Sequence, residues 1–329
     1  ANDELAWEKV YTFNSGIELA MFGNRLNTSA DFYIRNTRDA LGDIVMDPTT
    51  GWASVRKNSA SIVNRGLDLS ISGSPVSNNS WRWITTTTFS FNYNEVTKIN
   101  AGVETVAMVT AGNPLLGKPV DYVYAYRNGG LSETGQLQVL DAEGNIYLYN
   151  ETSAFLPEDL LIMGRSLPKF FGAWSNVISY KGFELEMLVT YKLGHKVMMP
   201  SIANADTDRR PYKTFDNRWR EPGDENNTWV PAANYAVSGQ YILPMNNNER
   251  MIEAGDLIRL KSIGLGYDLK RIVRTTALSA LSLKFSVENP WFWAANSEGL
   301  DPDRLVTSYS STYLGNQPTY GAFTLNVKF

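Results

Sequence analysis

Hydrophobic and polar positions alternate singly along this chain, stretch after stretch. That period of two places successive side chains on opposite faces of a β-strand. In 319–329 it is strictest: Gly321, Phe323, Leu325, Val327 and Phe329 share one face, and Tyr320, Ala322, Thr324, Asn326 and Lys328 the other. The same pattern predicts strands over about 7–20, 26–37, 61–72, 81–93, 168–180, 182–193, 256–269 and 280–289, nine with the last. Trp81, Trp83, Phe89, Phe91 and Tyr93 fall on one apolar face; Phe183, Leu185, Met187, Val189 and Tyr191 form another. In 256–269 strict alternation puts Arg259 and Lys261 on the face of Ile263, Leu265 and Tyr267. Pro290 is expected to shorten the top of the eighth strand, because proline cannot donate to a ladder.

The links alternate in length, short at 21–25, 73–80, 180–182 and 270–279, long at about 38–60, 95–166, 194–255 and 290–318. Short turns on one rim and long loops on the other describe an outer-membrane barrel, with periplasmic turns and extracellular loops. The strands run to about 10–14 residues, well beyond the mode of about 5–6 in soluble sheets, and suit a tilted membrane span. A soluble sandwich or carbohydrate-binding jelly roll would alternate too, with its apolar face in a core. Strand length, rim asymmetry and rings at the strand ends favour the barrel. The expected class is therefore all-β, a transmembrane antiparallel β-barrel. Bacterial barrels close with an even number of strands. Nine strands over 1–329 are thus expected to be the carboxy-terminal segment of one barrel domain, with further strands upstream.

Composition narrows the function. Charged residues make up 19% and aromatics 12% of the chain, and no apolar run approaches the roughly 20 residues of a spanning helix. Cysteine is absent, which excludes disulfides, thiolate metal sites and thiol nucleophiles. A net charge of −4 offers no basic footprint for nucleic acid. His195, the single histidine, reads as a loop residue beside Gly194 and Lys196, and Asp301 and Asp303 as a solvated turn around Pro302. No catalytic constellation emerges, so no enzyme and no cofactor is expected. Asp141, Glu143 and Asn145 place oxygen ligands at alternate positions, as calcium loops do, but Gly144 and Glu151 are out of step with that pattern. The two readings there are bound calcium and an ordinary glycine turn, and the spacing favours the turn.

The long connections hold more chemistry. Trp52, Trp219, Trp229, Trp291 and Trp293 lie in or beside them, and Arg209, Arg210, Arg218 and Arg220 crowd one of them. Rings beside Asp, Asn and Arg suit sugar stacking or a protein interface; for most of 195–254 the interface is favoured. Glu184, Glu186 and Lys192 lie on the polar face and are expected to line the lumen.

Several stretches resemble the SusC/RagA family of TonB-dependent transporters. They are Leu5, Trp7 and Glu8; Asn64-Arg65-Gly66-Leu67-Asp68-Leu69; Lys169 to Gly172; Tyr180 to Phe183; Asp216 to Trp219; Ile258 to Tyr267; Val287 to Asn289; Gly299 to Pro302; and Phe323 to Phe329. Their order along the whole chain makes the resemblance specific, although it covers only the carboxy-terminal part of such a transporter. The resemblance implies a plugged barrel of about 22 strands in the outer membrane of a Bacteroidetes-type bacterium. It implies import of large nutrients, oligosaccharide first and oligopeptide as the rival. It implies as partners a SusD-like surface lipoprotein lid, membrane lipid, the upstream part of the same transporter, and through that part the TonB complex. Plug and TonB-contacting segment are expected to lie outside this chain, and Phe329 resembles the terminal aromatic assembly signal of such barrels.

Overall fold

The computed structural model describes residues 5–45, 54–100, 104–200, 216–232, 247–273, 277–308 and 310–329. Nine strands form the wall: β1 (Lys9–Met21), β2 (Leu26–Val45), β3 (Ser54–Ser77), β4 (Trp81–Ile99), β5 (Phe170–Tyr180), β6 (Phe183–Leu193), β7 (Leu257–Asp268), β8 (Ala280–Ala294) and β9 (Tyr320–Lys328). They pair antiparallel in chain order, as the alternation predicts, with β1 and β9 at the two edges. The turns at one rim are tight. Phe22, Gly23 and Asn24 all take positive φ between β1 and β2, and Lys181 and Gly182 do so between β5 and β6. Such backbone matches the twist of the strands that it joins.

The two faces differ as the sequence requires. Rings on the apolar face meet across strands: Trp81 stacks on Tyr180 at 4.1 Å, and Phe285 sits 4.7 Å from Phe323. Yet no described residue covers this face, with Phe13 61%, Leu265 54% and Phe323 77% exposed. A soluble sandwich would have buried these side chains. A bare apolar sheet face needs another apolar medium against it.

Three expectations are corrected. The connection at 38–60 is mostly strand: β2 and β3 stay paired out to Val45 and Ser54, and only 46–53 links them. The ladder absorbs two register shifts next to Asp39, whose φ is +55°. In β7 a bulge between Leu260 and Ser262 resets the alternation. Arg259 pairs with Thr190 of the polar face, whereas Ile263 pairs with Met187 of the apolar face. Arg259 therefore does not share a face with Ile263, Leu265 and Tyr267. Pro290 does not end β8 either. Leu260 pairs with Trp291 and Ser262 with Glu288, so Asn289 and Pro290 fall in the bulge, where no ladder donor is required.

The buried core lies at the long-loop rim. Between β4 and β5, the stretches Tyr122–Leu131, Leu137–Leu140, Ile146–Leu148 and Leu160–Arg165 make a four-stranded sheet. It closes over Val109, Tyr122, Tyr126, Val139, Phe155 and Leu160. A second cluster joins Leu131 and Leu137 to Val197, Met199, Val230 and Met251. Arg165 anchors this layer to the wall, through Asp121 at 3.1 Å and the Asn92 carbonyl of β4 at 2.8 Å.

Candidate functional site at the long-loop rim

Residues 216–232 build a polar cleft against a buried support. Gly223, at φ +106°, turns the chain so that the Asp224 carboxylate accepts from the Arg220 and Glu221 amides at 2.9 and 3.2 Å. Trp219 points inward onto the second core cluster and donates its indole N–H to Glu225 at 3.1 Å. Its ring occupies the space above Gly135, where a Cβ would come within 2.4 Å. Hydrogen bonds from the backbone and from Trp219 hold Glu225 below the usual carboxylate range. Thr228 ties the return of the segment to the Asn217 carbonyl at 2.5 Å. Trp229 packs on the same cluster, with the Arg250 guanidinium 5.9 Å from its ring centre.

The resulting cleft measures about 770 Å³, and Asp216, Arg218, Arg220, Asp224, Thr228 and Trp229 are among its lining residues. Ser297 and Glu298 close it from a separate loop. Three of the sequence candidates thus converge on one cleft: Arg218, Arg220 and Trp229. Trp219 stands behind them as support. Ser297 and Glu298 were missed, because nothing local marks a loop residue that reaches a distant segment.

A charged network on the polar face holds the loop that carries Ser297 and Glu298. Arg259 donates to Asp301 at 2.5 Å with both side chains buried, and contacts Asp303 at 3.3 Å. Lys192 reaches Asp303 at 2.6 Å. The Arg259 guanidinium also covers the Phe292 ring at 5.3 Å. Asp301 is therefore no solvated turn residue but the fully buried foot of the loop after β8. His195 lies in the link between β6 and the Lys196–Met198 strand, as expected, but is buried there, and its Nδ1 has no partner among the described residues. Burial lowers its pKa, Asp256 opposes that shift, and Lys192 adds to it. Of the other polar-face candidates, Glu186 pairs with Lys284, and Glu184 accepts from Ser179 at 3.3 Å.

The remaining candidates lie elsewhere. Trp291 and Trp293 sit in β8 opposite Leu260 and Ile258, with 55% and 46% of their surface exposed on the apolar face, away from the cleft. Phe329 follows β9, 90% exposed, and its carbonyl accepts from Ser279. Trp52, Arg209 and Arg210 lie outside the described residues. Asp141, Glu143 and Asn145 share a turn, but both Asp141 oxygens accept from Asn145, at 2.8 and 2.7 Å. Burial opposes the charge on Asp141; the Asn145 hydrogen bonds outweigh it and keep its pKa below the usual range. Among the described residues, no three His, Asp or Glu side chains converge on a metal position.

Fold and rim together define the class: part of the wall of an outer-membrane-type β-barrel. Comparison with known proteins narrows it. The chain is similar along its whole length to a TonB-dependent receptor of Formosa agariphila, 27% identical over 387 aligned residues, which cover 36% of that protein. It is similar over 92% of its length to the TonB-dependent receptor SusC of Bacteroides thetaiotaomicron, 23% identical over 30% of that protein. All of its backbone matches a structure of the RagAB peptide transporter with TM-score 0.74 and 23% identity, covering 36% of that chain. No family model matches the chain. The likeness to SusC/RagA-type TonB-dependent receptors holds across the whole chain, which spans about a third of the length of the curated relatives it matches. These relatives are named as receptors and transporters, not as enzymes.

Proposed function

We propose that this chain forms part of a TonB-dependent importer of large polar nutrients, in the outer membrane of a Bacteroidetes-type bacterium. The apolar face meets lipid, the tight-turn rim is periplasmic, and the long-loop layer is extracellular. A SusD-like lipoprotein lid docks on that layer, and the TonB complex acts through other parts of the transporter. The observation that carries this reading is the polar cleft beside a lipid-type wall. Arg, Asp, Thr and Trp side chains converge there on a support that does not depend on a ligand.

Oligosaccharide is the substrate class proposed. Arg218, Asp216 and Thr228 offer hydroxyl-binding groups, and Trp229 contributes its indole. Oligopeptide is the second reading. Both signs of charge in the cleft favour it, because they match a peptide's two ends. Mass spectrometry of molecules co-purified with the intact transporter tests both: glycan masses support the first, peptide masses the second, and neither would argue against the cleft. Solubility without detergent would overturn the membrane assignment.

A further inference from the structure

The apolar face carries cations near its long-loop end, where an uninterrupted lipid stripe would have none. Register fixes their direction. Arg65 of β3 pairs with Ile34 on one side and Tyr93 on the other, so it points out with them. Lys9 pairs with Arg38 and alternates with Tyr11 and Phe13, so both of these point out as well. Lys9, Arg38 and Arg65 are exposed. Arg38 and, at the same end, Lys169 lie against aromatic rings. The Arg38 guanidinium lies 5.2 Å from the Tyr11 ring centre, and Lys169 Nζ lies 5.5–5.9 Å from those of Phe91, Tyr93 and Phe170. Among the described residues none of the four is in an ion pair. The one carboxylate in register with them on this face, Glu95, accepts from the Tyr93 hydroxyl at 3.3 Å.

A cation facing hydrocarbon is costly at the midplane and nearly free at the interface. Long side chains beside rings therefore mark headgroup level, with stems along the wall and charges in the polar layer. Two directly opposed cations, Lys9 and Arg38, repel each other unless an anion lies between them. Arginine's fork and lysine's point charge together match a phosphate.

We propose that this rim binds the phosphate monoester of an anionic lipid headgroup in the outer leaflet, with Arg65 and Lys169 around Tyr93 as one clamp and Lys9 with Arg38 as another. The inference rests on the membrane orientation proposed above. It is tested on the full transporter in nanodiscs of phosphatidylcholine doped with lipid A, or with lipid A stripped of its phosphates, by native mass spectrometry of retained lipid. Phosphorylated lipid A is expected to be retained over the stripped form. Arg65→Gln with Lys169→Gln should lower retention about thirtyfold, since each interfacial cation contributes about a fivefold factor. Arg35→Gln, on the polar face of β2, should leave it unchanged. Equal retention of the two lipids by the wild type overturns the proposal even if the double variant does not fold. Displacement by inorganic phosphate, which would mark a free-anion site, overturns it as well. Failure to insert into any disc would overturn the membrane reading beneath it; insertion without phosphate preference overturns the lipid site alone.

Discussion

Tyr33 of β2 lies across Gly66 of β3, where a Cβ would come within 2.1 Å of the tyrosine ring. The ring bridges one strand to the next but one, and its hydroxyl accepts from the Asn92 side chain of β4 at 2.7 Å. Three strands are thus tied on the polar face by one side chain, and the missing glycine side chain makes the room.

Gly66→Ala should therefore destabilise the wall by about 1–3 kcal/mol, the usual cost of an extra methyl in a filled space. In a Tyr33→Ala background the same change should cost much less, because the pair is coupled. Thermal unfolding of the four proteins in detergent measures this. Additive losses would show that the ring and the glycine do not share the space.

The Arg259–Asp301 pair should matter far more than the Lys192 contact beside it. Removing one partner of a buried pair strands the other charge, at about 3–5 kcal/mol, and here the side chains are 3% and 0% exposed. Asp301→Asn should release the loop after β8 to proteases. Lys192→Ala, at a site where the lysine is 44% exposed, should cost only about 0–1 kcal/mol. Equal protease sensitivity of the two variants would refute the ranking.

His195 gives the rim a pH dependence of known sign. Its folded pKa is lowered by burial, so the unfolded chain binds the proton more tightly. Stability from the neutral ring is fully present above the unfolded value of about 6.5 and is lost as pH falls toward the folded value. Because the chain holds one histidine, His195→Gln should flatten this slope. Unfolding midpoints measured across mildly acidic pH test it; an unchanged slope would place the titration elsewhere.

Period two made the wall legible in the sequence: a strand with one lipid-type face has few ways to hide it, and Trp81, Phe89 and Phe323 announced it. Arg259 was misassigned because a bulge adds one residue and inverts the faces beyond it, which strict alternation cannot anticipate. The rim was less legible still. Trp219 and Trp229 read alike as loop tryptophans, yet the first supports the cleft and the second lines it. That difference depends on Gly135, far away in the chain, leaving space for one ring.

Trp219 and Arg220 are neighbours with opposite roles, and this separates support from recognition. Trp219→Ala removes a ring packed on the rim core and should cost stability, toward the lower end of the about 3–5 kcal/mol seen for such truncations, because the residue is only half-buried. Arg220 is exposed, and among the described residues its guanidinium reaches only the Asp216 carbonyl at 3.1 Å. Arg220→Ala should therefore change stability by no more than about 0.5 kcal/mol, yet weaken retention of the co-purified ligand. The pair is read by unfolding midpoint and ligand mass on the same preparations. Full ligand retention in Arg220→Ala would remove the cleft from the proposed uptake route. Loss of ligand together with loss of stability, in Trp219→Ala alone, would leave the cleft a purely structural feature of the rim.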